Sequence, residues 1–479
     1  MRCRVLLTLS LLLGIAAEAF ATEPATKAEA HAALKKSVGF FRDQVSVEGG
    51  YLYRYAADLS LREGEGKASA QTAWVQPPGT PAVGDALLAA HERTGESYLR
   101  EAALAAARAL VKGQLQSGGW DYRIEFAPDQ RARYAYRVGG GTGSKLRNVT
   151  TLDDNNTQAA VRFLMHVDRA LEQKDQSIHE AVTYALEKLL AAQYPNGAWP
   201  QRFSAPPDPA DFPVIKANYP PTWPRTFPSA DYTSYYTLND NTLADMIATM
   251  FEAAEIYGDT RFAAAARRGG DFLLLAQMPE PQPAWAQQYN AQMQPAWARK
   301  FEPPSVTGGE SQGAIKILLE VYRQTGDKKY LAPIPRAIDY LKKSQFDGDQ
   351  LARFYELQTN QPLFFTRKYE LVYTKDDLPT HYGFIIRSGI PKLRADYEKL
   401  LATDPAKLRP KPKRPSYEAS NTQAQACRQL IDALDARGAW VEAGSLEDAD
   451  PDGIVKQVID TRTFIKNIDT LSRFIAGSK

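Results

Sequence analysis

The sequence is short of cysteine, of net charge and of long apolar runs, and each scarcity excludes a class of protein. Two cysteines in 479 residues, Cys3 and Cys427, exclude a scaffold held together by disulfides. A net charge of +2, from 58 Lys and Arg against 56 Asp and Glu, excludes bulk electrostatic binding of nucleic acid. Beyond the N-terminus no apolar stretch approaches the roughly 20 residues of a membrane-spanning helix. We therefore expect neither a nucleic-acid nor a membrane partner.

The N-terminus has the pattern of a secretory signal peptide. Arg2 and Arg4 precede an apolar run at positions 5–15, and Ala19-Phe-Ala21 matches a cleavage site. We expect residues 1–21 to be removed and the protein to be exported, to the periplasm or outside the cell. A buried N-terminal helix is the alternative interpretation. Cleavage would leave Cys427 alone, and we expect it to be buried in a helix over residues 421–434.

Apolar residues recur at helical spacing through much of the chain and predict an all-α fold. The clearest segments are residues 85–91, 98–111, 157–171, 178–192 and 242–257. Strand-like alternation is scarce, although residues 363–365 and 371–373 could form a short hairpin.

A sequence motif that recurs between the predicted helices indicates how they are arranged. A glutamine ends a helix, a Gly or Pro turn follows, and an aromatic residue comes next. The clearest copies are Gln114-Leu-Gln-Ser-Gly-Gly-Trp120 and Gln193-Tyr-Pro-Asn-Gly-Ala-Trp199, and weaker ones begin at Gln44, Gln277 and Gln345. The intervals of 68 to 84 residues between these glutamines fit two helices and two connections. We therefore predict an α/α toroid-like barrel of helical hairpins, with irregular loops on one face.

Three segments interrupt the helical pattern. Residues 122–148 are glycine-rich, residues 203–237 carry eight prolines, and residues 407–415 are basic and proline-rich. Loops longer than about 15 residues in a compact domain are usually functional or disordered. We interpret residues 407–415 as an extended linker between a main domain, residues 22–406, and a C-terminal helical extension, residues 416–479.

Several familiar kinds of chemistry are disfavoured by the motifs. The five histidines show no metal-binding spacing, and four of them lie in predicted helices, where a structural role is expected. No G-x-S-x-G motif is present, which disfavours acyl transfer. The glycine-rich stretch at 139–143 lacks the Lys-Ser/Thr pair and the preceding strand of a phosphate loop, so we interpret it as a flexible loop.

Two clusters of acids and amides precede helices at equivalent places in successive repeats. They are Thr151-Leu-Asp-Asp-Asn-Asn-Thr157 and Thr237-Leu-Asn-Asp-Asn-Thr242. Each cluster could be no more than a helix N-cap. The duplication favours a second interpretation, because the clusters would converge on one face of a toroid. Carboxylate and amide oxygens are the ligands that Ca²⁺ requires.

Basic and aromatic residues in two later irregular segments indicate an anionic ligand. Residues 297–310 contain Arg299 and Lys300, and residues 353–369 contain Arg353 and Arg367 among aromatic residues. Arginine binds carboxylates bidentately, although each arginine taken singly could be a surface ion-pair partner. Together with the acidic clusters, these residues predict a groove for an anionic sugar polymer bridged by calcium.

Five motifs then occur in a fixed order over roughly residues 36–397. They are Thr151-x-Asp153 with Gln158 and Arg162-Phe-Leu, Gln193-Tyr-Pro-Asn-Gly-x-Trp-Pro-Gln201, Asn239-Asp-Asn241, Ala298-Arg-x-Phe-Glu-Pro-Pro-Ser305, and Ala352-Arg-Phe-Tyr-Glu-Leu-x-Thr-Asn-x-Pro362. In this order they resemble the family 10 polysaccharide lyases, which are pectate lyases. The resemblance implies an (α/α)3 toroid and the calcium-dependent β-elimination of polygalacturonate.

The resemblance also implies roles for individual residues. Asp153 and Asp240 match the aspartates tied to calcium and substrate, and Arg299 matches the arginine proposed as the catalytic base. Arg367 matches an arginine that holds a substrate carboxylate. The other expected substrate contacts are Asn239, Lys300 and Arg353. Lys300 is also a rival base, because an ammonium gives up its proton more readily than a guanidinium.

Two departures from the family pattern bear on specificity. Asp154 stands where the family more often has Asn, and the proline-rich loop after Trp199 is longer than usual. We expect a monomeric, calcium-dependent pectate lyase that releases 4,5-unsaturated oligogalacturonides. The alternatives are a lyase acting on another uronate polymer and a non-catalytic protein that binds acidic polysaccharide. Arg299 argues against the binding protein, because binding alone would not require it.

Overall fold

The computed structural model describes residues 23–409, 417 and 419–477. The expected signal peptide, residues 1–21, lies outside the described residues. Residues 410–415 of the expected linker, residues 407–415, lie outside them as well. The domain boundaries at these two places stay predictions.

Helices dominate the part of the chain that the structure describes. They are α1 Lys27–Phe40, α2 Thr80–Thr94, α3 Ser97–Gly113, α4 Pro128–Arg131, α5 Asn156–Ala170, α6 Gln176–Ala191, α7 Thr242–Tyr257, α8 Thr260–Ala276, α9 Gly308–Thr325, α10 Ile334–Lys343, α11 Ile390–Leu401, α12 Asn421–Asp432 and α13 Thr461–Gly477. None of these helices is both long and apolar enough to cross a membrane.

The strands are only two to four residues long. They are β1 Arg54–Ala56, β2 Arg62–Glu63, β3 Thr72–Trp74, β4 Arg123–Glu125, β5 Thr150–Thr151, β6 Arg202–Phe203, β7 Tyr236–Thr237, β8 Gln288–Tyr289, β9 Ser305–Thr307, β10 Gln350–Ala352, β11 Phe354–Glu356, β12 Pro362–Phe365, β13 Leu371–Val372, β14 Ile385–Arg387, β15 Glu442–Ala443 and β16 Gln457–Asp460. The expected hairpin is confirmed, since β12 and β13 pair antiparallel. Strands this short leave no detectable alternation, so the sequence did not reveal the others.

The helices form two layers, which confirms the α/α toroid. Successive hairpins α2–α3, α5–α6 and α7–α8 place one helix in an inner layer and one in an outer layer. The inner helices α13, α2, α5, α7 and α9 contact one another in that order, and α1 packs on α13. The five segments with the clearest helical periodicity coincide with α2, α3, α5, α6 and α7, and two of them extend one residue past the end of the helix.

Glutamines at the ends of outer helices hold each hairpin to the next. The side-chain amide of Gln114, after α3, donates hydrogen bonds to the carbonyl oxygens of Gly118 (2.9 Å) and of Ala181 in α6 (2.8 Å). Two further copies repeat the arrangement one hairpin later each time. Gln193 bonds Gly197 and Ala265 in α8, and Gln277 bonds Pro283 and Pro333 before α10.

The tryptophan of each repeat binds back to the end of the preceding outer helix. The indole N–H of Trp120 donates to the carbonyl oxygen of Leu110 at 2.8 Å, and that of Trp199 to Leu189 at 2.9 Å. Both rings are completely buried. The repeated Gln-turn-Trp segment, called here the clamp, therefore has a structural role. It follows the end of an outer helix and precedes the loop that carries the next acidic cluster.

The expected structural histidine is seen most clearly at His166. Its ring nitrogens lie 2.7 Å from Asp85 of α2 and 2.6 Å from Glu252 of α7, so the α5 side chain links three inner helices. Burial lowers the pKa of His166, but these two carboxylates raise it more, to about 9. Cys427 is buried in α12 as expected, and burial raises the pKa of its thiol to about 11.

We predict that Gln114→Ala destabilises the fold, because it removes two buried hydrogen bonds, one within its own turn and one to the next hairpin. It also removes the partner of Arg137, whose Nη1 donates to Gln114 at 2.6 Å. The expected loss in the free energy of unfolding is about 2–4 kcal/mol, measured by chemical denaturation. Gln116→Ala, at an exposed glutamine two residues away, is the control and should change it by less than about 0.5 kcal/mol. Equal stability of the two variants would contradict the clamp.

Candidate active site

The two acidic clusters fold into the same unusual turn. Each follows a two-residue strand, β5 or β7, and each turn has two consecutive residues in the left-handed region. Asp154 and Asn155 have φ of 49° and 57°, and Asp240 and Asn241 have φ of 48° and 58°. Asp and Asn enter this region more easily than other residues with a Cβ. Asp154 is therefore the structural counterpart of Asp240.

The clusters do not act as helix caps, so the capping alternative is wrong. α5 begins after Asn155 and α7 after Asn241, and neither asparagine side chain makes a capping hydrogen bond. The strand pairs β5–β6 and β7–β8 instead join each cluster to the loop of the following repeat. This register brings the two turns into contact.

The convergence expected from the duplication is present as a group of three carboxylates. One oxygen from each of Asp153, Asp154 and Asp240 lies within 4.8 Å of the others. Oδ2 of Asp153 accepts a hydrogen bond from the Tyr122 hydroxyl at 2.9 Å, whereas Oδ1 is buried without a hydrogen-bond partner. Several carboxylate oxygens with free lone pairs at one point fit a hard divalent cation such as Ca²⁺.

The close approach of the three carboxylates raises the pKa values of two of them. Burial raises the pKa of Asp240 to about 7, and the negative charges of Asp153 and Asp154 raise it further. Burial likewise raises the pKa of Asp154 to about 6, with Asp153 and Glu65 adding to the effect. Like charges held together in a partly desolvated site disfavour ionisation, and a bound cation would reverse this.

Arg299 lies at the edge of the cluster. Its Nη2 is 4.0 Å from Oδ2 of Asp240 and 2.6 Å from Oε1 of Glu302. The guanidinium also lies over the rings of Phe301 and Tyr382, 5.2 and 5.5 Å from their centroids. Burial lowers the pKa of Arg299, but the hydrogen bond and charge of Glu302 outweigh it and raise the pKa above the ordinary value. Arg299 is therefore cationic in this arrangement.

Two of the expected substrate contacts also lie next to the cluster. Asn239 is almost fully buried, and its amide donates to Oδ2 of Asp240. Arg353 lines a cleft of about 210 Å³ together with Asp240 and Glu310. Its Nη1 is 3.4 Å from Oε1 of Glu310. This cleft lies between α7 and α9, beside Asp240.

The other two expected contacts lie away from the carboxylates. Lys300 lies over the ring of Tyr369, with Nζ 3.6 Å from the centroid, in a different cleft. The Arg367 side chain is 71% exposed, and its Nε is 3.3 Å from Oδ1 of Asp377. Arg367 thus contacts an acid of its own loop and not the cluster, and its assignment to a substrate carboxylate stays a prediction.

Sequence reasoning missed several residues that complete the site. Asp154 was noted only as a departure from the family pattern, although aligning the two clusters on their Asp-Asn pairs would have paired it with Asp240. Arg202, just after the Trp-Pro-Gln motif, places Nη2 3.9 Å from Oδ2 of Asp153. The Tyr382 hydroxyl donates to Glu302 at 2.9 Å, a contact between segments that no local pattern indicates.

We predict that Asp240→Asn stabilises the cation-free protein more at pH 8 than at pH 5. A carboxyl whose pKa rises from 3.8 to about 7 on folding favours the folded state below pH 4, and this advantage disappears as pH rises to 7. Asn cannot ionise, so it avoids the repulsion at pH 8. The side chain of Asp240 is 35% exposed, and with solvent screening we expect a gain of about 1 kcal/mol. Thermal unfolding at the two pH values measures it, and an equal effect at both would contradict the repulsion.

Comparison with known proteins supports the resemblance noted from the motifs. Residues 130–320 match the model of a family described as pectic acid lyase. None of the curated proteins matches the chain. A family 10 polysaccharide lyase from Cellvibrio cellulosa, solved as a variant with trigalacturonic acid, is 21% identical, with a TM-score of 0.47 over 67% of this chain and 99% of that one.

A second solved structure belongs to a differently named enzyme. Cellobiose 2-epimerase from Bacillus thermoamylovorans is 14% identical, with a TM-score of 0.44 over 94% of this chain and 98% of that one. The family match is the more specific finding, because residues 130–320 contain both acidic clusters and Arg299. It confirms the resemblance to pectate lyases noted from the motifs, over the part of the chain that carries the candidate site.

Proposed function

We propose that the protein is a calcium-dependent pectate lyase that cleaves α-1,4-linked polygalacturonate by β-elimination, releasing 4,5-unsaturated oligogalacturonides. One observation carries the proposal. Three carboxylates from two successive repeats meet within 4.8 Å, and the guanidinium of Arg299 lies 4.0 Å from one of them. We also propose that the protein is exported, as the N-terminal pattern indicates and a polymeric substrate would require, and that it acts as a monomer.

The chemistry of elimination explains this pairing of acids and arginine. The proton on C5 of a uronate is weakly acidic, because the neighbouring carboxylate is already negative. Ca²⁺ held by Asp153, Asp154 and Asp240 would neutralise the substrate carboxylate and so acidify the C5–H bond. Asn239 donates to Asp240, which keeps that carboxylate turned toward the other two.

Arg299 is the base in this proposal. It takes the C5 proton, the electron pair forms the C4–C5 double bond, and the C4–O4 bond breaks with solvent protonating O4. Arg299 must first give its own proton to solvent, which a neighbouring Ca²⁺ would favour and which Glu302 opposes by raising the pKa of Arg299. The Tyr382 hydroxyl also binds Oε1 of Glu302, so Glu302 keeps a partner when Arg299 turns toward substrate. Lys300 contacts Tyr369 and not the carboxylates, which favours Arg299 over it.

The defining experiment follows the ultraviolet absorbance of the unsaturated product. The protein is mixed with polygalacturonate and calcium, and a chelator is added during the reaction. We expect a steady rise that stops on chelation and resumes when calcium is restored, since the carboxylates repel one another without a cation. A flat trace from folded protein would contradict the proposal. Turnover of a different uronate in a polymer panel would then establish the alternative lyase, and binding without turnover the alternative binding protein.

We predict that Arg299→Ala reduces kcat by at least about 10³-fold, because loss of a general base commonly costs about 10²–10⁴-fold. Binding of oligogalacturonate to the variant should stay within a few-fold of wild type, as measured by titration calorimetry. Arg108→Ala, at an arginine that is 62% exposed on the outer helix α3, is the matched control and should leave both quantities unchanged. Parallel loss of binding and kcat would instead make Arg299 a substrate-binding residue.

A further inference from the structure

We propose that a second cleft, built by the proline-rich loop and the β12–β13 hairpin, binds a uronate unit beyond those at the carboxylate cluster. This cleft, named here the distal cleft, is lined by Arg225, Phe227, Trp297, Lys300, Tyr369 and Tyr373. Its volume of about 530 Å³ lies in the range of small-ligand sites. The inference rests on the proposed function, because it assigns to the same enzyme a subsite that sets its preference for long chains.

One wall of the distal cleft comes from the proline-rich loop, which is fixed to the scaffold. The indole N–H of Trp297 donates to the carbonyl oxygen of Pro224 at 2.8 Å. The rings of Trp223 and Phe227 pack 6.5 and 5.8 Å from the ring of Trp297. Residues 204–235 contain no strand and only one turn of 3-10 helix, Pro209–Asp211, so these contacts hold the wall in place.

The opposite wall presents an aromatic ring of fixed orientation. Tyr373 is 49% exposed, and its hydroxyl donates to Oε1 of Glu356 at 2.8 Å. Arg225 of the proline-rich loop forms an ion pair with the same carboxylate. Glu356 is itself buried, so it joins the two walls at their base. A half-exposed ring held in this way can stack on the apolar face of a sugar.

The charge of the distal cleft suits a carboxylate. Lys300 has no ion-pair partner among the described residues and lies over the Tyr369 ring, and Arg225 is 53% exposed beside its glutamate. Glu370 also lines the cleft and opposes these cations. Glu356 offsets much of the charge of Arg225, so Lys300 is the cation of this cleft that has no ion-pair partner among the described residues. This combination of a ring with two cations fits a uronate better than a neutral sugar.

A series of ring contacts connects the distal cleft with Arg299 at the edge of the carboxylate cluster. Arg299 lies over Phe301, whose ring stacks on Tyr369 at 5.7 Å. Lys300, between Arg299 and Phe301 in the chain, turns into the distal cleft. A polymer bound with one unit at the cluster would place a later unit against Tyr373. The longer proline-rich loop thus extends the groove and gives the enzyme an additional subsite.

The test compares wild type with Tyr373→Ala on galacturonate oligomers of increasing length, in calcium. We expect the KM of the variant to rise about tenfold for long oligomers, which is the effect of losing one stacked ring. The shortest oligomer that is cleaved should show unchanged kcat and KM, which also demonstrates that the variant is folded. Tyr373→Phe keeps the ring and loses only the hydroxyl, so its KM should stay within about twofold of wild type.

The outcomes separate this inference from the proposed function. If wild type cleaves galacturonate and Tyr373→Ala shows the same length dependence, the subsite is wrong and the lyase stands. If wild type cleaves none, titration calorimetry with a galacturonate hexamer decides. Weaker binding by Tyr373→Ala would support the subsite in a binding protein, and equal or absent binding would overturn it.

Discussion

The hydrogen bonds that join each helical hairpin to the next are the interaction on which this structure depends. Gln114, Gln193 and Gln277 each use one side-chain amide to bind a carbonyl of their own turn and another in the next hairpin. Each amide therefore fixes both the turn that follows an outer helix and the position of the next hairpin. Because this joint recurs, the loops that follow it begin from equivalent positions, and the two acidic clusters can meet.

The meeting of the clusters costs stability that the rest of the fold must offset. Four residues adopt left-handed backbone conformations, and two carboxyls have pKa values of about 6 and 7 because burial and mutual repulsion disfavour their ionised forms. A satisfied structural cluster would instead show hydrogen bonds to each oxygen, as at Glu63, which accepts three backbone N–H groups. The contrast indicates that the three aspartates are arranged for a ligand and not for the fold.

Local patterns predicted what depends on local physics. Helical periodicity located the helices, the spacing of the glutamines predicted the toroid, and the duplicated clusters predicted convergence of Asp153 and Asp240. Tertiary register decided the rest. Asp154 joins the carboxylates because its turn repeats the left-handed conformation of the Asp240 turn, which only an alignment of the two clusters with each other would have indicated. Arg202 and Tyr382 reach the site from segments that no single motif connects. Arg367 instead forms an ion pair with Asp377, a contact that depends on the fold of their loop and not on a sequence motif.

Both parts of the groove share one arrangement, in which a buried glutamate binds an arginine and a tyrosine hydroxyl together. Glu302 binds Arg299 and Tyr382 near the carboxylates, and Glu356 binds Arg225 and Tyr373 in the distal cleft. Such a glutamate orients the arginine but also neutralises much of its charge, so a single substrate carboxylate gains little by approaching it. An anionic ligand then binds well only when several of its carboxylates engage several cations at once. On the proposed function, this arrangement favours a polymer over free uronate, because only a polymer spans both parts of the groove.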